Sequence, residues 1–393
     1  IARSSIPAFR AGGRGFKSRP EHQISNSILT PSSRPSIFLF KGAWSTSKLE
    51  VYPYDHILQR DLGRIQNSSI RREDKVKIKD FAEHLLAKGV SKPRVIKYVN
   101  QLAVLARMVE KPFERLKRRD IEELVRKINE SGYSEHTKRD FKIVLKRFYQ
   151  WLRGCNEEEN EYPEEVRWIK TSPKEKRLMP EALLTPEEIK RLTEVAENPR
   201  DKALILTHYE SGCRISETLS LRIRNVKFDQ YGAVLHVNGK TGPRRIRIIA
   251  AAPALATWLS IHPFRDDPDA PLWIGMGTKG RYRPLDYHAV RALFKRLARK
   301  AGLNKRVYTH LFRHTRATEL ANILTEAQMK ELFGWSQSSD MPSVYVHLSG
   351  RDVDKALLKA YGIKEEAESK PALTPIECPR CKTSMGMPIF FNV

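Results

Sequence analysis

Four segments in the first half of the chain carry apolar residues at the spacing of an amphipathic helix. They span residues 73–88, 92–109, 118–131 and 134–153. The apolar stripe is clearest in the last segment, where it comprises Phe141, Val144, Leu145, Phe148 and Leu152. The pattern therefore predicts a small, all-helical domain over residues 72–155.

A second folded region begins at residue 183. Thr185 is placed to cap a helix, Pro186 suits its first turn, and Glu188 completes a capping box. Two short strands are predicted at 233–238 and 244–249, on either side of a turn that contains Gly239 and Gly242. Further helices are predicted at 286–301, 309–324, 326–334 and 351–361. This region, 183–363, is thus expected to be mostly helical with a small β-hairpin.

The remaining segments lack a sustained period. Residues 1–71 mix Arg, Ser, Pro and Gly, and we predict a basic, largely irregular arm. Residues 156–182 combine an acidic run with three prolines, which favours an extended linker. Residues 364–393 are expected to form a C-terminal tail. The predicted fold class is mainly α, with one helical domain and one mixed α/β domain.

The charge of the chain indicates a polyanionic partner. Its 71 Lys and Arg exceed its 46 Asp and Glu, which gives a net charge of +25. Nucleic acid is the leading candidate, because no run approaches the roughly 18 to 20 apolar residues of a membrane-spanning helix. The ordinary alternative, a thermophilic surface, favours balanced Lys and Glu. We predict DNA contacts for the lysines that border the last helical stripe, namely Lys138, Lys142 and Lys146.

Cysteine usage and the N-terminus both bear on the cellular compartment. The four cysteines are too few and too unevenly placed for a disulfide framework. The first residues lack an apolar core followed by a small-residue cleavage site. We therefore expect a protein of the reducing cytoplasm.

Two basic residues of the second domain are suited to phosphate chemistry. Arg214 follows the bend at Gly212, and its guanidinium could grip two phosphate oxygens in a fork that Lys cannot reproduce. Lys240, at the tip of the predicted hairpin, could reach DNA and protonate a leaving oxygen. Each also has an ordinary explanation, since surface arginines and hairpin lysines are common.

A third motif contains His310 and Arg313, which lie three residues apart and share a face at the start of a predicted helix. Free backbone N–H groups and the helix dipole add to the attraction for an anion there. A metal site on His310 and His314 is an alternative, but it lacks a clear third ligand. His314 is expected to serve in packing or capping.

The fourth motif contains Trp335 and Tyr345. A tyrosine titrates near 10, so it is a weak nucleophile unless nearby cations favour its phenolate. Two arginines and a histidine on one phosphate would supply such a field. For Tyr345 alone, a place in the core is the ordinary explanation.

Taken in order, these residues resemble the pattern of the tyrosine recombinase family, the lambda-integrase type. That pattern is Arg, Lys, His-x-x-Arg, His or Trp, then Tyr, and it is matched by Arg214, Lys240, His310, Arg313, Trp335 and Tyr345. The segment 311–315 is also close to the family's Leu-Arg-His-Thr core, and the helical domain resembles its core-binding domain. Two features depart from the pattern: Trp stands where many members have His, and the spacing from Trp335 to Tyr345 is about one residue longer.

The resemblance implies a mechanism. Tyr345 would attack a DNA phosphate to give a 3′-phosphotyrosyl link and a free 5′-hydroxyl. Arg214 and Arg313 would stabilise the phosphorane, His310 and Trp335 would position an oxygen, and Lys240 would protonate the leaving group. Glu217 would orient Arg214 or a neighbouring basic group. The resemblance also implies double-stranded DNA attachment sites as partners, a homotetramer on DNA, and no need for a metal or ATP as cofactor.

Two other functions remain compatible with the sequence. A non-catalytic DNA-binding protein would show salt-dependent DNA affinity without a covalent adduct. A type IB topoisomerase shares nearly the same site but relaxes supercoils without pairing two DNA sites.

Both ends of the chain carry a further motif. Residues 15–20, Gly-Phe-Lys-Ser-Arg-Pro, can be encoded by GGN TTC AAA TCC CGN CCN, which resembles the T-arm of a transfer RNA gene. This suggests an archaeal virus or plasmid integrase whose gene is partitioned on integration, with a basic DNA-contacting arm as the alternative. Cys378 and Cys381 have the spacing of half a zinc ribbon, but no second pair follows, so no metal is expected.

Overall fold

The structure is a computed structural model. It describes residues 49, 51–172, 180–278, 280–321, 323–348, 357–358, 360–363, 376–377 and 384–385. Within these ranges, no helix is long and apolar enough to cross a membrane.

The described residues before 170 form six helices: α1 (Tyr54–Gln66), α2 (Arg72–Ala87), α3 (Lys92–Met108), α4 (Arg118–Glu130), α5 (Glu135–Leu152) and α6 (Glu164–Arg167). The four helices predicted for this region are confirmed within about one residue at each end. They share one apolar core, in which Phe81, Leu102, Phe113 and Phe148 are buried. The periodicity succeeded here because each of these helices buries one face against the others.

Two predictions about the flanking segments are corrected by the structure. Part of the expected irregular arm forms helix α1, which buries Leu58 and Ile65 in the helical core. Part of the expected linker forms α6, and Val166 and Ile169 join the same core. The helical domain therefore extends beyond the predicted 72–155 on both sides.

The second region contains eight helices among its described residues. They are α7 (Pro186–Glu194), α8 (Pro199–Ser211), α9 (Ile215–Leu219), α10 (Ala252–Ser260), α11 (Tyr287–Lys300), α12 (Thr309–Leu320), α13 (Glu326–Phe333) and α14 (Met341–Leu348). The capping box at the start of α7 is confirmed, with the Thr185 hydroxyl accepting from the N–H of Glu188. The prediction of a helix at 351–361 lies mostly outside the described residues.

A three-stranded antiparallel sheet lies between α9 and α10 in sequence. Its strands are β1 (Val226–Asp229), β2 (Gly232–Gly239) and β3 (Gly242–Ile248), in the order β1-β2-β3. The predicted hairpin is confirmed, and β1 is an added edge strand. Gly239 pairs with Gly242 across the turn, so Lys240 lies at the tip. Two short strands, β4 (Ile376–Glu377) and β5 (Ser384–Met385), pair near the C-terminus, while Cys378 and Cys381 lie outside the described residues.

Candidate active site

The end of helix α8 places Arg214. Gly212 ends the helix at φ 57°, and a Cβ there would lie 2.5 Å from the ring of Phe333. Only glycine meets both demands at low cost, because it adopts a positive φ readily and has no side chain. Arg214 then caps α9, with its backbone N–H donating to Glu217 over 2.9 Å. Its guanidinium donates to the Gly334 carbonyl over 3.2 Å and is 30% exposed, so it remains accessible to a ligand.

Arg313 lies beneath this position on α12. Its guanidinium donates to the carbonyls of Gly212, over 3.0 Å, and Phe333, over 2.6 Å, and the residue is only 2% exposed. It also lies over the rings of Phe333 and Trp335. Burial and the nearby Arg214 lower the pKa of Arg313 to about 10, so it stays charged at neutral pH. The site therefore holds a fixed buried cation near a partly exposed one.

Glu217 contacts both Arg214, at the start of α9, and Arg244, on β3. Its carboxylate accepts from Arg214 over 3.0 Å and from both terminal nitrogens of Arg244 over 2.7 and 3.1 Å. Arg244 points inward from β3 and also donates to the Leu332 carbonyl over 2.9 Å. Burial opposes the charge of Glu217, but the two guanidinium groups more than offset it and hold the pKa below its usual value. The predicted supporting role of Glu217 thus has a geometric basis, and Arg244 is a member of the site that the sequence analysis missed.

Lys240 extends from the hairpin tip into solvent. Its side chain is exposed, and its ammonium makes no hydrogen bond or ion pair within the described part of the chain. The adjacent Thr241 hydroxyl donates to the Gly334 carbonyl over 3.2 Å, which joins the hairpin to the loop before Trp335. Lys240 therefore belongs to a turn that is attached to the site while its own cation is free to reach a ligand.

We predict that Lys240→Met leaves the fold intact and slows DNA cleavage by about 10² to 10⁴, the range of a lost general acid. Stability should stay within about 0.5 kcal/mol, since the side chain is exposed. The test is single-turnover cleavage of DNA whose leaving oxygen is replaced by sulfur. Because a thiolate leaves without a proton, the sulfur substrate should restore the rate. A rate that remains low would assign Lys240 to binding.

The two histidines of α12 occupy different surroundings. His310 is exposed to solvent, and partial desolvation together with the charges of His314, Arg313 and Arg214 lowers its pKa to about 4. Its ring meets that of His314 edge-on at 4.9 Å. Within the described ranges, no three His, Cys, Asp or Glu side chains are placed to hold a metal ion.

Tyr345 lies on α14 in a small apolar cluster. It is 1% exposed, and its ring stacks on Trp335 at 5.5 Å between centroids. Its hydroxyl lies 2.8 Å from Nδ1 of His314. Burial raises the pKa of Tyr345 to about 12, although Arg313 acts in the opposite direction. His314 was expected to serve in packing or capping, and the structure adds a hydrogen-bond contact between its ring and the candidate nucleophile.

Trp335 packs against the candidate nucleophile, and its expected role in positioning an oxygen stays a prediction. Its ring is stacked between Phe333 at 5.0 Å and Tyr345 at 5.5 Å, and within the described chain its indole N–H has no protein partner. The ring thus forms the wall against which Tyr345 is held.

The three lysines predicted to contact DNA differ in their surroundings. All three are partly buried on α5. Lys138 pairs with Glu135 over 3.1 Å. The ammonium of Lys146 lies 4.3 Å from the centre of the Tyr162 ring and 3.4 Å from the Ile169 carbonyl, so it ties α5 to the following segment. A role in DNA contact stays a prediction for all three lysines, and Lys146 also has internal contacts that the sequence did not indicate.

Comparisons with known proteins agree with this arrangement. Residues 182–351 match the phage integrase family, and residues 78–154 match the phage integrase N-terminal SAM-like domain. The chain is 31% identical over 235 residues to a tyrosine recombinase XerC from Rickettsia bellii, covering 56% of this chain and 72% of that one. It is 26% identical over 284 residues to a tyrosine recombinase XerA from Pyrococcus horikoshii, covering 72% and 93%.

Solved structures show the same fold. The XerH recombinase bound to difH substrate, in a post-cleavage complex, superposes with a TM-score of 0.56 at 17% identity, over 83% of this chain and 94% of that one. A lambda integrase dimer bound to a core site gives a TM-score of 0.56 at 15% identity, over 84% and 87%.

The chain therefore belongs to the phage integrase family of tyrosine recombinases, enzymes that cleave and rejoin DNA in site-specific recombination.

Proposed function

We propose that the protein integrates a mobile element by cleaving and rejoining DNA through a 3′-phosphotyrosyl bond at Tyr345. The observation that carries this proposal is the position of the Tyr345 hydroxyl. This hydroxyl lies 2.8 Å from Nδ1 of His314. His314 belongs to α12, the helix that also carries His310 and Arg313.

Each side chain has a role in the proposed mechanism that follows from its position. Arg214, the exposed guanidinium, binds the nonbridging oxygens of the scissile phosphate. Arg313 adds positive charge from below, where the low dielectric strengthens its effect on a phosphorane. His310, which is exposed to solvent, donates a ring N–H to a phosphate oxygen. Lys240 reaches in from the hairpin and protonates the leaving 5′-oxygen.

The proposed reaction requires no metal or ATP. The phosphodiester bond that is lost on cleavage is replaced by a phosphotyrosyl ester, so the bond energy is retained until the 5′-hydroxyl of the partner strand attacks. The positive charge that a metal ion would supply in other DNA-cleaving enzymes is provided here by two arginines and a lysine. Cleavage in the presence of a chelator tests this part of the proposal.

The proposed target is a transfer RNA gene. This rests on the coding capacity of residues 15–20, which matches a T-arm sequence, and on the net charge of +25. Recombination of the two sites would proceed in a homotetramer on double-stranded DNA. Strand exchange between two T-arm duplexes, compared with two duplexes of random sequence, tests the target, and codons at 16–18 other than TTC AAA TCC would contradict it.

The test of the proposed function is a denaturing gel of the protein incubated with nicked suicide DNA that carries the T-arm sequence. We expect a protein-linked band with the wild type, and Tyr345→Phe should abolish it because the nucleophilic oxygen is gone. Tyr308→Phe is the matched control, since it removes a hydroxyl near the site but not from α14. Binding without an adduct on any DNA would favour a non-catalytic protein.

A further inference from the structure

The contact between His314 and Tyr345 gives the candidate nucleophile a specific partner. Nδ1 of His314 and the hydroxyl of Tyr345 are 2.8 Å apart, which is a normal hydrogen bond. The two residues are 31 positions apart in sequence, on α12 and α14. Because Tyr345 is 1% exposed and its ring faces Trp335, bulk water has little access to this hydroxyl.

His310 is placed for another task. It lies one helical turn before His314, is exposed to solvent, and is close enough to Arg214 and Arg313 for their charges to lower its pKa. His314 lies one turn further along the same face, at the phenol. In the proposed mechanism, His310 therefore acts at the phosphate and His314 at the nucleophile.

We propose that His314 is the proton acceptor for Tyr345, an inference that rests on the proposed function. As Oη of Tyr345 attacks phosphorus, its O–H bond breaks and the proton passes to Nδ1 of His314. The new O–P bond forms while the bond from phosphorus to the 5′-oxygen breaks. That oxygen takes the electron pair and receives a proton from Lys240. In rejoining, the 5′-hydroxyl attacks phosphorus and returns its proton to the neutral Lys240 amine. The bond from phosphorus to Oη breaks, and protonated His314 returns its proton to Oη, so the cycle closes without another reactant.

The protonation states of the pair are suited to this transfer. Burial and Arg313 lower the pKa of His314 from 6.5, so its ring is neutral at pH 7 and can accept. The proposed transfer uses the neutral tautomer in which Nε2 carries the ring proton and Nδ1 carries the lone pair. Tyr345, with its pKa raised to about 12, does not ionise unaided at pH 7. A tyrosine in this position needs an acceptor during attack rather than before it.

The charged groups around the pair are mostly cations. Arg313 and His310 approach from α12 itself, Arg214 from the start of α9, and the phenol of Tyr308 from the loop before α12. Two carboxylates on helices packed together here, Glu210 and Glu319, have other partners. Glu210 of α8 accepts from the backbone N–H groups of residues 249–251, and Glu319 accepts from Tyr209 and Arg316.

The first experiment measures single-turnover cleavage by His314→Asn from pH 5 to 9 on suicide DNA. An Asn amide can hydrogen-bond Tyr345 but cannot take its proton. We expect cleavage at pH 7 to slow by about 10² to 10³. The wild-type rate should be flat above pH 6.5 and fall on the acid side as His314 becomes protonated. The variant should lose this plateau and instead speed up steadily as pH rises. His314→Gln serves as a second variant if thermal unfolding shows that His314→Asn does not fold.

The second experiment separates a role at the phenol from a role at the phosphate. DNA ending in a 3′-p-nitrophenyl phosphate can be joined to a 5′-hydroxyl in a Tyr345→Phe background, and p-nitrophenolate leaves without a proton. Adding His314→Asn should leave this joining rate unchanged, whereas adding His310→Asn should slow it.

Three results decide the matter. If the wild type forms no adduct, the proposed function itself fails. If the wild type cleaves and folded His314→Asn cleaves equally fast with the same pH profile, His314 is not the acceptor and the function stands. If His314→Asn slows cleavage and p-nitrophenyl joining alike, its role is structural or at the phosphate, which also overturns the proposal.

Discussion

Arg313→Lys is expected to slow covalent DNA cleavage by about 10² to 10³, the effect of removing one preorganised donor at a developing charge. A lysine ammonium cannot donate to the carbonyls of Gly212 and Phe333 in the geometry of a guanidinium, nor lie flat over Phe333 and Trp335. One buried carbonyl would lose its partner, which costs about 1 to 3 kcal/mol of stability. Single-turnover cleavage and thermal unfolding measure the two effects.

Arg316→Lys is the matched control for this prediction. Arg316 lies on the same helix, donates to the Glu210 carbonyl over 3.2 Å and pairs with Glu319, but its contacts are made away from Tyr345. It should cost stability without a comparable loss of cleavage. Equal cleavage by Arg313→Lys and the wild type would contradict the role given to Arg313.

Glu217→Gln is expected to destabilise the protein by about 3 to 5 kcal/mol, because it leaves the buried charge of Arg244 uncompensated. The side chains of Arg244 and Glu217 are only 4% and 3% exposed. Chemical denaturation gives the free energy of unfolding. The double variant Glu217→Gln with Arg244→Met should recover part of the loss, since no charge is then stranded.

The control for the pair of Glu217 and Arg244 is an exposed ion pair on the sheet that contains Arg244. Arg247 and Asp229 form an ion pair at 2.7 Å whose side chains are 35% and 38% exposed. Asp229→Asn should therefore cost at most about 1 kcal/mol. A similar cost for Glu217→Gln would show that the buried network does not hold the site together.

The stability that the Glu217 network contributes should also depend on pH. Its pKa is held below the ordinary value of 4.5, so the folded state favours the ionised form. This contribution to stability is complete above pH 4.5 and is lost as the pH falls through the lower folded value. Between pH 7 and pH 3, the wild type should therefore lose more stability than Glu217→Gln.

The spacing of apolar residues predicted the long helices that bury one face in the core. Helices α2 to α5 show this, since each repeats its apolar stripe over three or more turns. Helix α14 was not predicted as a helix, because it has only eight residues and its segment Val344-Tyr345-Val346 has a composition common in strands. Helix α6 has four residues, too few for a period to be visible.

The sequence also predicted only part of the candidate site. The spacing of the motif identified the six residues that resemble the family pattern, and the structure brings four of them, Arg214, Arg313, Trp335 and Tyr345, around the Gly334 loop. The contact of Arg244 with Glu217 and that of His314 with Tyr345 were not predicted, because the partners are 27 and 31 residues apart in sequence. A signal for Arg244 was present, since strand alternation places it on the same inward face as Ile246.

The most direct measurement identifies the amino acid joined to DNA. Suicide DNA labelled on its 3′-phosphate would be trapped with the wild-type protein, digested with nuclease and trypsin, and analysed by mass spectrometry. The tryptic peptide 331–351 contains Tyr345 as its one tyrosine. Our account predicts a nucleotide on that peptide, with the label retained and a free 5′-hydroxyl on the released strand. A nucleotide on any other peptide, or a link through the 5′-phosphate, would contradict it.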